Sequence, residues 1–187
     1  MCGNIDRNEL ACRLIQSVRG AFENRDLNNM KWSDMTRSLF SELDCLAECL
    51  GADVRHKQIE EEKQNWEFLY DVCFFVTGGR DPQGYFTRQT PLKQALLVLE
   101  CEWNQDNKEM LYDFSKLLLA RSKLRAFVFY TDSSEKFDST LEAVKALIDA
   151  FEQGAKSDRY LICGIGCRSL RFALVDGRGE ELCRKNY

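Results

Sequence analysis

One stretch constrains this chain more than any other: Leu96-Leu97-Val98-Leu99-Glu100-Cys101-Glu102-Trp103. Its aliphatic run predicts a central strand, yet it ends in two carboxylates one residue apart. Strand side chains alternate faces, so Glu100 and Glu102 project to one side and Cys101 to the other. Two like charges at the rim of a buried strand repel each other and cost desolvation, unless a cation or a raised pKa relieves them. A divalent metal site offers that relief, whereas a purely structural strand gains nothing from the pair.

Around this strand the hydrophobic spacing lays out the other elements. Leu10, Leu14, Ile15, Val18 and Phe22 predict an amphipathic helix within residues 5–23. A second helix begins near Trp32, carries Met35, Leu39, Phe40, Leu43, Leu46 and Leu50, and is ended by Gly51. Residues 68–76 are aromatic and β-branched, the composition of an interior strand. Asp71 falls inside that run with Leu69, Cys73 and Phe75 on its own face, where a carboxylate needs a metal, a donor or a strand end. Asn104 to Asn107 offer capping side chains for a helix bearing Met110, Phe114 and Leu117. Ala126 to Tyr130 is a third strand. Ser133 and Ser134 can cap a further helix, with Phe137, Leu141, Val144 and Ile148 on its stripe and Gly154 as its stop. Residues 160–165 and 170–175 are two more strands. The charged residues 56–65 are expected to be an exposed loop or helix extension, and residues 78–91 a long loop or hairpin arm in which Tyr85 and Phe86 form a short strand. The tail from Arg178 mixes charges and is assigned no element.

The connection between the first two strands favours an antiparallel pair, and the helical crossovers that follow favour parallel neighbours. The expected fold is therefore α/β, a mixed central sheet flanked by helices. A chain of 187 residues is long enough for one domain over residues 1–187, with residues 1–30 as an N-terminal helical extension.

Composition narrows the function classes. The 26 basic and 30 acidic side chains give a net charge of −4, unlike a nonspecific nucleic-acid binder, though a local basic face remains open. No apolar run reaches membrane-spanning length and the first residues begin no secretory signal, so no membrane association and a cytoplasmic location are expected. Nine cysteines, an odd number scattered through apolar segments, read as free thiols. Cys45, Cys49, Cys163 and Cys167 lack the short spacing of a zinc site. The single histidine, His56, reads as a surface residue and argues against histidine-dependent triads. Gly78-Gly79 lacks the lysine-serine ending of a phosphate cradle.

If the strands at 68–76 and 95–102 pair antiparallel, Asp71 near the start of one meets Glu100 and Glu102 at the end of the other. Oxygen ligation of that kind suits Mg²⁺, or Mn²⁺ in its place. Asp71, then Glu100-Cys101-Glu102, then the helical segment Asp113-Phe114-Ser115-Lys116-Leu117-Leu118 resembles the PD-(D/E)XK nuclease superfamily. The runs Trp66-Glu67-Phe68-Leu69-Tyr70-Asp71 and Glu100-Cys101-Glu102-Trp103-Asn104 resemble in particular its type II restriction endonuclease branch with a second glutamate. The resemblance covers residues 35–175, a nuclease-like core.

That resemblance implies Mg²⁺-dependent hydrolysis of DNA phosphodiesters, of restriction or defence type, with RNA the lesser substrate and a homodimer as the working unit. It makes Asp71 and Glu100 metal ligands, with the Cys101 carbonyl as an added oxygen. Glu102 stands where lysine is usual and would act as ligand or general base. Lys116 would supply the missing cation, and Glu42 matches a glutamate contributed by the preceding helix. Arg121, Lys123, Arg125, Arg168, Arg171, Arg178, Arg184 and Lys185 are candidate phosphate contacts. Glutamate in the lysine place, with the acidic balance, leaves an alternative: a binding or regulatory protein that keeps the nuclease fold without turnover.

Overall fold

Asp6 accepts the Asn8 and Glu9 amides at the head of α1 (Arg7–Phe22), satisfying donors that the first helical turn leaves open. A single 3₁₀ turn, Leu27–Asn29, leads to α2 (Trp32–Leu50), which stops at Gly51 in the left-handed conformation, φ 60°. The computed structural model describes residues 5–56, 69–78, 92–167 and 169–187. The strands are β1 (Asp53–His56), β2 (Val72–Thr77), β3 (Leu92–Glu102), β4 (Leu124–Tyr130), β5 (Arg159–Gly166), β6 (Ser169–Asp176) and β7 (Glu181–Asn186). Helix α3 (Asn107–Leu118) joins β3 to β4, and α4 (Ser134–Ala150) joins β4 to β5. Asp106 and Ser133 cap these two helices through side-chain oxygens.

The seven strands lie side by side in chain order. β1, β2 and β3 run antiparallel, β3, β4 and β5 run parallel, and β5, β6 and β7 run antiparallel. The mixed sheet flanked by helices is the architecture expected from the sequence, as is the antiparallel pairing of β2, which Asp71 immediately precedes, with β3, which carries Glu100. Both parallel connections pass through a helix, as parallel neighbours require.

Each face of the sheet has its own core. One is shared with α1 and α2 and contains Leu14, Val18, Leu39, Leu43, Leu97 and Leu99. The other is shared with α3 and α4 and contains Val98, Phe114, Phe127, Phe129, Phe137 and Ile162. Helix α1 is thus an integral layer, with Leu10, Leu14 and Val18 fully buried, and not an appendage. A bulge leaves Leu96 unpaired between the Phe75–Ala95 and Phe74–Leu97 partners, which lets Leu96 and Leu97 enter the same core. Beyond the bulge alternation is regular, and Glu100 follows Val98 onto the α3–α4 face.

Several elements differ from the sequence reading. β2 begins at Val72, so Asp71 stands in the bend before the strand and Leu69 is exposed. His56 belongs to β1, a strand the charged composition conceals. The mixed-charge tail forms β7, whose residues are all exposed. Helix α4 ends at Ala150, four residues before the glycine expected to stop it. The readings at residues 57–68, at 79–91 and at Arg168 lie outside the described residues. Among the described residues no helix is long and apolar enough to cross a membrane.

Candidate active site

The site forms at the carboxyl end of β3, where β2 has not yet begun. Val72 pairs with Leu99, so Asp71, one residue earlier, lies beside Glu100 and Cys101. Its Oδ2 accepts the Cys101 amide at 2.9 Å and contacts the Cys101 thiol at 3.4 Å. Burial first, then the Asp71 charge, push that thiol well above its usual pKa, so it donates as S–H. In an extended strand a residue's N–H and C=O point to the same edge. The Cys101 carbonyl therefore faces the side on which Asp71 stands.

Glu100 is the unusual group. Its side chain is 1% exposed, between Val98 and the phenylalanines of β4, and Phe127 is its neighbour in register. Oε2 accepts from Lys116 Nζ at 2.8 Å, while Oε1 is buried with no hydrogen-bond partner among the described residues. Burial pushes this carboxyl up to about 8; the Lys116 hydrogen bond opposes the rise and the Asp71 charge adds to it.

Helix α3 supplies the counter-charge. Lys116, four residues along from Tyr112 and one turn past Asp113, reaches Glu100 and also Asp113 Oδ1 at 2.9 Å. Desolvation would lower the Lys116 ammonium, but its bonds to Glu100 and Asp113 outweigh that and hold it above its ordinary value. Lys116 is therefore a fixed cation rather than a base. Glu102 accepts the Asn104 amide at 2.6 Å and is raised, first by burial and also by a hydrogen bond with Asp113. Two carboxyls in contact need a shared proton or a nearby cation.

Of the candidate residues, Asp71, Glu100, Cys101, Glu102 and Lys116 thus meet at one end of the sheet. Glu42 does not join them: it lies on α2, in the layer across the sheet, against α1. A methyl group added at Gly20 would come within 2.9 Å of Glu42 Oε2. The basic candidates divide. Arg121, Lys123 and Arg125 line a cleft on the α3–α4 face, while Arg184 is held by Asp138 and Glu181. The sequence reading gives Asp113 no role of its own; its link to Glu102 depends on how α3 docks on β3.

The donor types suit a hard cation, and the bare buried oxygen of Glu100 is an acceptor that one would satisfy. The arrangement is nonetheless closed. Among the described residues no three acidic, thiol or imidazole side chains are gathered to hold an ion as they stand. Lys116 spans Glu100 and Asp113, and Asp71 is turned onto Cys101. The four candidate zinc thiols are dispersed as well, Cys45 and Cys49 exposed on α2 and Cys163 buried in β5. No protein-family model matches this chain, and no curated protein matches it.

Proposed function

We propose that the chain is a Mg²⁺-dependent phosphodiesterase acting on DNA, with its centre at Asp71, Glu100 and Glu102. The observation that carries this reading is Glu100, buried to 1% exposure with one oxygen unpartnered among the described residues. Asp71, Glu102 and Asp113 lie around it, and Lys116 bonds to Glu100 and Asp113. A surplus of carboxylates in a desolvated setting is stable only with protons or added positive charge. When bound, Mg²⁺ or Mn²⁺ supplies that charge and neutralises what builds on a phosphodiester in the transition state.

The chain's own groups then have separate duties. Asp71 and Glu100 offer oxygens to the ion, with the Cys101 carbonyl on the same side. Lys116, permanently protonated, can hold a phosphate oxygen or orient the attacking water. Glu102, raised and only partly buried, is the better acceptor for that water's proton. A two-fold dimer would bring one such centre to each strand of a duplex.

A second reading, a nuclease-like protein that binds without turnover, draws support from Lys116, which already satisfies Glu100 Oε2 and Asp113. Incubation with supercoiled plasmid in Mg²⁺, Mn²⁺ or chelator separates the two. The first reading expects nicking that chelator stops and Glu100→Gln abolishes. Intact plasmid under every condition supports the second.

A further inference from the structure

Lys116 holds a cation's place between carboxylates from two elements. Its Nζ bonds Glu100 Oε2, on β3, at 2.8 Å and Asp113 Oδ1, on its own helix α3, at 2.9 Å. Asp113 is in turn hydrogen-bonded with Glu102. An ordinary surface pair joins one ammonium to one carboxylate in solvent and contributes little. Here the Glu100 side chain is 1% exposed, and its Oε1 stays buried with no hydrogen-bond partner among the described residues. One ammonium therefore does not saturate the group it neutralises.

Lys116 also has a way out. Its side chain is 23% exposed, and its charge sits at the end of a flexible four-carbon stem. Swinging that stem into solvent moves no backbone and leaves Glu100 and Asp113 facing one position, with Glu102 beside them. An ammonium carries one charge, whereas a hard divalent ion carries two and takes several carboxylate oxygens at once. The two cations call on the same oxygens and repel each other, so the presence of one disfavours the other.

We infer that Lys116 is a displaceable internal cation: its ammonium leaves Glu100 and Asp113 as a divalent ion enters, and Asp113 then joins Glu100 as a ligand. This rests on the ion site proposed above and adds to it one ligand and an order of events. The released ammonium is free to take a phosphate oxygen only after the ion is in place, so the ion binds first and the phosphodiester second.

The test follows the Lys116 amine in the wild-type protein. Brief acetylation with an N-hydroxysuccinimide ester, read by mass spectrometry of the Lys116 peptide, is compared in Mn²⁺ and in chelator at matched ionic strength. Lys116 should react at least about tenfold faster in Mn²⁺, while Lys145, paired with Glu142 on α4, should not change. Asp71 bonds to Cys101 and not to Lys116, so Asp71→Asn keeps both lysine contacts. At a Mn²⁺ concentration that saturates only the wild type, this variant should show no increase. Calorimetric titration of Asp113→Asn with Mn²⁺ should show binding at least about tenfold weaker than that of the wild type. Equal Lys116 reactivity with and without Mn²⁺, an increase that persists in Asp71→Asn, or wild-type affinity in Asp113→Asn overturns the inference. If Glu100→Gln still abolishes binding in that case, the ion site stands without it. Absence of binding to the wild type removes both.

Discussion

At Glu100 one side chain has to meet three demands: it is desolvated, it is held by Lys116, and it lies beside further carboxylates. Its pKa, raised to about 8 by burial, links it to stability. The unfolded chain binds this proton only below the ordinary value of 4.5, so Glu100 favours the folded state fully at low pH. That contribution is lost as pH rises toward and through about 8. Urea midpoints measured from pH 5 to pH 9 in metal-free buffer should therefore fall across this window in the wild type, and much less in Glu100→Gln. Parallel curves for the two proteins would show that Glu100 is ordinarily ionised. Lys116→Ala leaves a buried carboxylate without its cation, a loss of roughly 2–4 kcal/mol after allowing for the partial exposure of Lys116. Its effect should be larger at pH 9 than at pH 6, where Glu100 can take up a proton instead; a pH-independent effect would contradict the coupling. The sequence itself shows that Glu100 and Glu102 need relief, because the alternation of a strand puts both on one face. The identity of the relieving cation is only half visible. The i,i+3 spacing of Asp113 and Lys116 is explicit in the chain, but the bond from Lys116 to Glu100 depends on the docking of α3.

Among the elements, those with a strong apolar pattern are legible from the sequence, since the same pattern creates the core they enter. Helices α1 and α2, with an apolar stripe, and strands β3 to β6, with runs buried on both faces, are of this kind. β1 and β7 are not, because both are edge strands whose place is set by backbone pairing with β2 and β6 rather than by burial of their side chains. Asp71 reads as a strand residue in the sequence but lies just before β2, because a periodic pattern does not mark where pairing starts. The contact between β5 and α4 is similarly invisible until the elements are assembled. A Cβ at Gly164 would lie 2.4 Å from the Phe137 ring, which stacks on Phe129 at 6.0 Å and has little room to retreat. Gly164→Ala should therefore destabilise by roughly 1–3 kcal/mol through overpacking, read as a lower urea midpoint with an unchanged slope. An unaltered midpoint would mean that α4 is free to move off the sheet. Ser133→Ala, which removes the acceptor for the Lys136 amide, should cost about 1 kcal/mol in the same assay.

Across the whole molecule, the arrangement of charge matters more than its total. A net charge of −4 conceals, among the described residues, an acidic end and a basic end on one face of the sheet, joined by the cleft that Arg121 lines. The acidic end follows from two strands meeting antiparallel, which the chain order foretells. The basic end gathers Arg7 from α1, Lys93 from β3 and the segment around Arg121, positions too far apart in sequence to suggest a common surface. The central claim is that Asp71 and Glu100 jointly hold a divalent ion. Calorimetric titration of Mn²⁺ into the wild type, Asp71→Asn and Glu100→Gln tests it most directly. The account predicts saturable binding to the wild type, weakened at least about tenfold in each variant. Absence of binding to the wild type, or equal affinity in all three proteins, would contradict it.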